Sequence, residues 1–456
     1  MSNFRSVAEL AAAYRDRRTT ARRVADGALA AAAALDRRDP PMRLFIALDG
    51  ADVRAQADAA DARFAAGRPL SLLDGIPVAI KDELDVRGYG TTCGTSFLGK
   101  TPATSDALTV SRLRAAGAVI FGKTNMHEFG VAPNGLNVHH GTARNPYDPA
   151  YDTGGSSSGS AAAVAAGIVP LALGNDGGGS VRIPGALCGV PSLKATYERI
   201  STEGVAVLCW SLEHTGPIGA TVDDVRLAFG ALTGEPAELP ALPSPLRLGV
   251  CDVWWREAAP EIRAAADAAI DRLIANGATR VSIELPHIEY SVPVGAATFI
   301  GEGAAAVADY LRDNQPMAPS VRVGFEIARS MSAATFLRAQ RVRTLIARDF
   351  DHAFARCDLL VTPTTALAAQ PYAADAYSDG EIDEVKISKM VHFTFALNLT
   401  GHPAAQVPCG YDAHGLPIGL QLIGPHGADL LTLAAAAAVE RATPRRLPQV
   451  WHDLLS

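Results

Sequence analysis

Two glycine-rich loops, each bordering an apolar segment, most constrain what this chain can fold into. The first loop, Thr153–Ser160, leads directly into the alanine-rich segment Ala161–Gly167. The second, Gly174–Pro184, follows the apolar run Val169–Leu173. A short apolar run that ends in a glycine loop is typical of a buried strand, and an alanine-rich run is typical of a helix. The order of these elements predicts an α/β fold.

The same alternation of helical and strand patterns extends along most of the chain. Helices are predicted over 7–36, 51–66, 106–116 and 428–441, and strands over 118–121, 407–410 and 417–422. A turn at Leu73–Gly75 opens a β-branched run that ends at Lys81. We predict one interlocked domain, in which the parts are an N-terminal helical region (1–70), a catalytic core (71–238), a variable helical substrate-pocket region (239–383) and the C-terminal part of the core (384–456).

Composition excludes several classes of protein. Of the 456 residues, 48% are hydrophobic and 20% are charged, which excludes a disordered chain. The net charge of −7 disfavours nucleic-acid and anionic-membrane partners. Six scattered cysteines form no CxxC pair, so we expect reduced thiols in a cytoplasmic protein. The longest weakly polar run, Ala161–Gly174, is too short to predict a transmembrane helix.

Each glycine-rich loop alone is compatible with a purely structural turn. The first loop lacks the lysine and the spacing of a phosphate-binding Walker motif. In the second loop, three successive glycines allow several N–H groups to converge beside Ser180, which suits an oxyanion hole. The structural alternative is a tight connection in which Asp176 and Arg182 simply form an ion pair.

The two loops taken together with Lys81 narrow the choice. Lys81, Ser156 and Ser180, with their flanking Gly and Pro residues, resemble the signature of the amidase signature family of serine hydrolases. The resemblance extends to 122–129, 145–149, 210–217, 398–403 and 419–424. It implies a mixed, twisted β-sheet core flanked by α-helices on both sides.

The resemblance also implies roles for individual residues. The nucleophile falls on Ser180, the bridging serine on Ser156 after a cis peptide bond from Gly155, and the catalytic lysine on Lys81. The implied oxyanion donors are the N–H groups of Gly177, Gly178, Gly179 and Ser180. The segment after Asn125 is implied to approach the scissile amide, which makes substrate contacts of Met126, His127, Phe129 and Gly130. Neither a metal nor an organic cofactor is implied.

Three positions depart from the family's pattern. Gly177 stands where a side chain is usual, so we expect a barer and more flexible oxyanion loop. Ser158 replaces a common glycine, and Lys194-Ala195-Thr196 replaces a common Lys-Pro-Thr. None of these changes removes a group to which the resemblance assigns a catalytic role.

Other polar and aromatic residues are weaker candidates for parts of a site. The eleven histidines form no HxxxH or HExxH pattern, His139 and His140 are adjacent, and no GxSxG surrounds Ser180. The arginine row of the helical stretch 333–349 is expected to be solvated, although one arginine facing the cleft would bind a substrate carboxylate. That row consists of Arg338, Arg341 and Arg343. Candidate aromatic or apolar lining residues of an acyl pocket are Met126, Phe129, Trp210, Phe393 and Phe395.

The predicted function is hydrolysis of the C–N bond of a carboxylic amide or urea-like compound through a serine acyl-enzyme, with release of ammonia or an amine. Burial of Lys81 at a strand end favours its neutral amine, which would accept the proton of Ser156. One alternative is the ammonia-producing component of a tRNA-dependent amidotransferase complex, its A subunit, and another is a non-catalytic anion-binding protein. A small-molecule amide and a second copy of the chain are the predicted partners.

Overall fold

Eleven strands form one mixed sheet in the computed structural model, which describes residues 4–373, 376–380 and 383–456. In chain order the strands are β1 (Phe45–Ala47), β2 (Pro77–Lys81), β3 (Val119–Thr124), β4 (Leu171–Asp176), β5 (Ser192–Lys194), β6 (His214–Gly219), β7 (Arg247–Val250), β8 (Thr279–Ser282), β9 (Leu359–Pro363), β10 (Ala404–Tyr411) and β11 (Pro417–Ile423). Across the sheet their order is β1-β3-β2-β4-β6-β5-β10-β11-β9-β7-β8.

Helices surround this sheet. Within the described residues they are α1 (Val7–Arg15), α2 (Ala21–Asp36), α3 (Gly50–Ala65), α4 (Leu108–Ala115), α5 (Ser158–Ala165), α6 (Arg182–Leu187), α7 (Val222–Thr233), α8 (Asp252–Trp255), α9 (Pro260–Ala275), α10 (Ser291–Ala306), α11 (Ala308–Arg312), α12 (Pro319–Arg329), α13 (Ala333–Phe354), α14 (Ala376–Asp379), α15 (Glu384–Val391), α16 (Phe395–Thr400) and α17 (Asp429–Ala442). None of them is both long enough and apolar enough to span a bilayer.

The centre of the sheet is buried on both faces. Every residue of β2, β3, β4 and β6 is buried, as expected of strands covered by helices on either side. Parallel pairs join β2 to β3 and β4, whereas β4 and β6 are antiparallel. The predicted mixed α/β sheet flanked by helices is therefore confirmed.

The sheet draws strands from all four predicted parts of the chain. The stretch 239–383 was expected to be helical, yet it also supplies β7, β8 and β9. The sequence hid β7 and β8 because each has four residues and β8 is largely exposed, so neither shows a strand pattern. The boundaries between the four parts stay a prediction, and residues 1–3, 374–375 and 381–382 of those parts lie outside the described residues.

The N-terminal helical pattern is divided in two. The predicted helix over 7–36 is α1 followed by α2, and the Thr20 side chain caps the second helix by accepting from the N–H of Arg23. The predicted helix over 51–66 corresponds to α3, for which Asp49 is the N-cap. These helices pack beside the sheet edge formed by β1 and β3.

Strand direction fixes where functional side chains gather. Because β2 and β4 are parallel neighbours, with Ile80 opposite Leu173, their carboxyl ends meet at the same edge of the sheet. Lys81 ends β2, and the second glycine-rich loop leaves the end of β4. The first glycine-rich loop enters α5 at Ser158, beside the same edge. The fold thus brings all three parts of the signature together.

Candidate active site

A buried hydrogen bond joins Lys81 to Ser156. The Lys81 Nζ atom lies 2.8 Å from Ser156 Oγ and 3.2 Å from the carbonyl oxygen of Asn175. Both side chains are almost completely enclosed. The Gly155–Ser156 peptide bond is cis, as the family resemblance implies. Residues 75 positions apart in sequence are thus in direct contact away from water.

Close backbone packing holds the loop that carries Ser156. A Cβ atom added to Gly155 would lie 2.0 Å from the carbonyl oxygen of Asn134, so only glycine fits there. The Asp152 carboxylate accepts from the N–H of Gly154 at 2.7 Å. The N–H of Ser157 donates to the carbonyl of Ser180 at 3.1 Å, which ties this loop to the Ser180 loop.

An ion pair organises the loop that carries Ser180. The Asp176 carboxylate accepts from the N–H groups of Gly179 (2.7 Å) and Val181 (3.1 Å) and pairs with the Arg182 guanidinium at 3.0 Å. Burial acts to raise the pKa of Asp176, but the charge and hydrogen bonds of Arg182 outweigh it and hold that pKa below its usual range. The pairing considered as a purely structural alternative is therefore present, and it shapes the loop around Ser180.

The same hydrogen bonds limit which N–H groups can stabilise an oxyanion. The prediction for Gly179 is not supported, because its N–H already donates to Asp176. Within the part of the chain that the structure describes, the N–H groups of Gly177, Gly178 and Ser180 donate to no protein acceptor. These three groups remain available at the start of the loop.

The expectation that Gly177 leaves this loop bare is wrong. A Cβ atom added to Gly177 would lie 2.8 Å from Cys209 Sγ and 3.0 Å from a ring carbon of Phe299. Side chains from two other segments therefore fill the space that a residue larger than glycine would need.

Two cavities flank the turn at Phe129 and Gly130. The smaller, of about 30 Å³, contains Ser180, which is 8% exposed. The larger, of about 230 Å³, is mostly apolar and reaches Glu83. Around the smaller cavity lie Gly130, Gly178, Ile183, Phe299, Val391 and Phe395. Around the larger lie Cys93, Leu98, Phe129, Leu208, Val307 and Tyr310.

Phe129 and Gly130 separate these cavities in an unusual backbone turn. Both residues have positive φ, 51° for Phe129 and 71° for Gly130. The Phe129 ring stacks on Tyr310 with a centroid distance of 6.1 Å. The positive φ of a bulky residue stores strain, which the surrounding aromatic packing offsets. Of the predicted substrate contacts, these two line cavities next to the signature residues.

Met126 and His127 are buried behind that turn. The His127 ring faces the carbonyl of Glu128 at 3.1 Å, and burial lowers its pKa to about 4. His127 is therefore neutral at neutral pH. Among the aromatic candidates, Phe393 is buried against Trp254, whereas Trp210 is 55% exposed.

The arginine row on α13 is divided between solvent and structure. Arg338 and Arg341 are exposed. Arg343 donates to the carbonyl of Leu399 at 2.6 Å and to the carbonyl of Ser211 at 2.8 Å. Its hydrogen bonds thus connect helices rather than leave the guanidinium free for a substrate carboxylate.

Histidines and acids likewise form separate pairs. His139 contacts the Glu128 carboxylate at 2.9 Å, and His140 contacts the carbonyl of Thr95. Over the ranges 4–373, 376–380 and 383–456, no three His, Cys, Asp or Glu side chains are grouped as metal ligands. A cofactor-free site stays a prediction.

Sequence reasoning missed two buried acids beside Lys81. Glu83 Oε2 lies 2.9 Å from Lys81 Nζ. Glu213 accepts from Asn175 Nδ2 at 2.8 Å and from the N–H groups of Leu208 and Cys209. Burial raises the pKa of Glu83 to about 7, with Lys81 opposing the rise and Glu213 adding to it. An acid only two positions after the predicted lysine was the available signal.

Comparison with known proteins gives this geometry a family. The family model named Amidase matches residues 28–433. The chain belongs to the amidase signature family. Its fold agrees with a crystal structure of an amidase at a TM-score of 0.88 and 30% identity, covering 96% of this chain and all of that one. The family predicted from the motifs is confirmed, and the chain is a hydrolase that acts on amides.

Amidase signature relatives of two kinds are similar over most of the sequence. A fatty acid amide hydrolase from Medicago truncatula is 37% identical over 98% of this chain and 78% of that protein. The ammonia-producing A component of a glutamyl-tRNA(Gln) amidotransferase from Picosynechococcus is 36% identical over 91% of this chain and 92% of that protein. Both activities considered from the sequence are thus represented among the relatives.

Proposed function

We propose that this chain hydrolyses an amide through an acyl-enzyme on Ser180, with Ser156 and Lys81 as its proton relay. The observation that carries the proposal is the buried 2.8 Å contact between Lys81 Nζ and Ser156 Oγ, in a loop bonded directly to the Ser180 loop. A free serine hydroxyl is a weak nucleophile and requires a neighbouring base. A buried amine in contact with a second serine can supply that base.

In the first half of the reaction, Ser180 Oγ attacks the amide carbonyl carbon. Its proton passes to Ser156 as the Ser156 proton passes to the neutral amine of Lys81. The carbonyl oxygen gains negative charge, which the N–H groups of Gly177, Gly178 and Ser180 are available to stabilise. Return of the proton through Ser156 to the leaving nitrogen breaks the C–N bond and leaves the acyl-enzyme.

In the second half, water replaces the leaving amine. The relay takes a proton from water as its oxygen attacks the acyl carbon, and the proton returns to Ser180 Oγ when the ester bond breaks. Ammonia or an amine is released first and the carboxylic acid second.

The larger cavity favours substrates with an apolar substituent. Its walls include the side chains of Leu98, Phe129, Leu208 and Tyr310. Burying a hydrocarbon group there would contribute about 25 cal/mol for each Å² removed from water. The relatives named fatty acid amide hydrolase support the same substrate class. We therefore propose alkyl or aryl amides as substrates.

The amidotransferase component is the alternative that the relatives keep open. Ammonia release by the isolated chain should be measured with hexanamide, phenylacetamide, glutamine and urea, with Ser180→Ala as the blank. Robust turnover of an alkyl or aryl amide that the blank lacks is the expected result. Turnover of glutamine alone would favour the amidotransferase component, and no turnover with any amide would favour the anion-binding alternative.

The same assay tests the predicted lack of a cofactor. We expect activity to survive dialysis against EDTA, because the proposed relay uses side chains alone. Loss of activity that added metal restores would contradict this. Cytoplasmic location, pairing with a second copy and the lack of nucleic-acid and membrane partners stay predictions.

A further inference from the structure

Glu83 completes the surroundings of the Lys81 amine. Three oxygen atoms lie around Lys81 Nζ: Ser156 Oγ at 2.8 Å, Glu83 Oε2 at 2.9 Å and the carbonyl oxygen of Asn175 at 3.2 Å. An ammonium group carries three protons, so each has one acceptor here. Glu83 is itself only 4% exposed. The arrangement therefore favours a charged Lys81 in one fixed orientation.

A second buried ion pair shows what a structural lysine looks like in this fold. Lys123 Nζ lies 3.0 Å from Asp82 Oδ1, and both side chains are fully enclosed. Lys123 also donates to the carbonyl of Gly90 and to Thr91 Oγ1. These partners lie outside the Ser156 and Ser180 loops. The two pairs share burial and charge, but only the pair of Lys81 and Glu83 contacts the proposed relay.

Contact with the relay gives the Glu83 carboxylate a specific task. When Ser156 delivers its proton, an ammonium forms on Lys81 away from water, which is costly without a counter-charge. A carboxylate 2.9 Å away supplies that counter-charge through a charge-assisted contact. An aspartate performs the same task for the histidine of a Ser-His-Asp triad.

We propose that Glu83 is a positioning residue whose carboxylate orients the Lys81 amine toward Ser156 and stabilises the ammonium that the relay creates. The inference rests on the proposed function. The transferred proton moves from Ser180 to Ser156 to Lys81 and later to the leaving nitrogen. Glu83 gains and loses no proton in the cycle, and no bond to it forms or breaks.

The position of Gly130 places Glu83 and Ser156 on the same side of the relay. A Cβ atom added to Gly130 would lie 3.1 Å from both Glu83 Oε1 and Ser156 Oγ. The carboxyl group also borders the larger cavity, whereas Ser180 borders the smaller one. Glu83 thus contacts Lys81 from the side opposite the proposed nucleophile's cavity.

The pH dependence follows from the charged groups around this carboxyl. Lys81 and Glu213 act on Glu83 with opposite signs. The thiols of Cys93 and Cys209 also face it, and burial raises the pKa of both, so they are neutral near pH 7. His127, which lies near Lys81, is neutral too. The carboxylate of Glu83 favours the ammonium in the resting enzyme, so activity should rise with pH.

The test is the pH profile of kcat/KM for the best amide of the panel, measured for the natural chain, Glu83→Gln and Glu83→Asp. We expect Glu83→Gln to lower kcat by roughly 10²-fold, as for a broken buried charge pair, with KM changed less than about twofold. Because the counter-charge is gone, the rising limb should move to lower pH by at least about one unit. Glu83→Asp should recover part of kcat and keep the limb near its original position.

Asp82→Asn is the matched control, because it breaks the other buried lysine pair. It should lower thermal stability without moving the limb. An unmoved limb in folded Glu83→Gln would overturn the role of Glu83. If Glu83→Gln does not fold, equal profiles of Glu83→Asp and the natural chain, with kcat unchanged, would overturn it. Loss of activity in Lys81→Ala beside either result leaves the proposed function standing, whereas near-native Lys81→Ala overturns both.

Discussion

The loops around Ser156 and Ser180 and the helical stretch around the larger cavity are built on different principles. In the loops, backbone groups fix functional residues within a few positions of one another, as Asp176 does for Gly179 and Val181. In the helical stretch, α10 and α11 bring Phe299, Val307 and Tyr310 to the site through packing between distant segments. Chemistry is encoded locally here, and substrate shape is not.

The largest expected effect comes from removing the relay. Single alanine variants of Lys81, Ser156 and Ser180 should each lower kcat/KM by at least about 10³-fold, because the three side chains act as one unit. Double and triple variants should lose little more than the worst single variant. Steady-state kinetics on variants checked by circular dichroism would measure this. Independent, multiplying losses would show that the three residues do not form one relay.

The contact between the two regions at Gly177 gives the next effect. In Gly177→Ala, the new Cβ atom would press on Cys209 Sγ and Phe299 and displace the N–H groups of the loop. We expect a loss of up to about 10²-fold in kcat, comparable to the loss of one oxyanion donor.

Adding Cys209→Ala to Gly177→Ala should restore part of this loss, because it removes the closer of the two clashes. Cys209→Ala alone serves as the control in a double-mutant cycle on kcat. Additive losses, with no rescue, would mean that Gly177 tolerates a side chain and that the loop does not depend on that packing.

The larger cavity should control affinity rather than chemistry. Ala306 ends α10, is exposed and lines that cavity, so Ala306→Trp should narrow it without overpacking the core. We expect roughly a 10-fold rise in KM for long alkyl amides with kcat nearly unchanged. Ala305→Trp, at the neighbouring exposed position of α10, is the matched control. Equal effects on short and long amides would place the substrate elsewhere.

The smallest effect concerns packing of α13 on the C-terminal part of the chain. The His402 ring stacks against Phe350 and Phe354 and lies 4.0 Å from the His426 ring, and burial lowers the pKa of His402 to about 3. The unfolded chain therefore binds more protons than the folded one below about pH 6.5, so stability falls as pH decreases from there toward 3.

His402→Gln cannot take up that proton, so it should lose less stability over the same pH range. We expect the difference in slope to be about 1 kcal/mol per pH unit, measured by urea unfolding between pH 6.5 and 5. Parallel slopes for the natural chain and His402→Gln would show that His402 titrates normally in the folded state.

The sequence was informative wherever local backbone chemistry decides the structure. The strand ending at Lys81, the strand before Gly174 and the helix after Ser157 all lie close to their predicted positions. Apolar runs next to glycine-rich loops carry that signal because the strand and its loop are contiguous.

Features that depend on distant packing were not predictable in this way. Phe299 lies against Gly177 although more than a hundred residues separate them, and no local pattern marks that contact. The pairing of Glu83 with Lys81 depends on how β2 ends, and the engagement of the Gly179 N–H depends on the rotamer of Asp176. The short strands β7 and β8 owe their place in the sheet to β9, a long way along the chain.

The central claim is that Ser180 carries the acyl group, and covalent labelling tests it most directly. The folded chain should be treated with phenylmethylsulfonyl fluoride or a fluorophosphonate, with loss of amidase activity followed alongside, and then digested for peptide mass spectrometry. The account predicts one adduct on Ser180 that appears in step with inactivation, and none in Ser180→Ala. An adduct on Ser156 alone, or full inactivation with Ser180 unmodified, would contradict it.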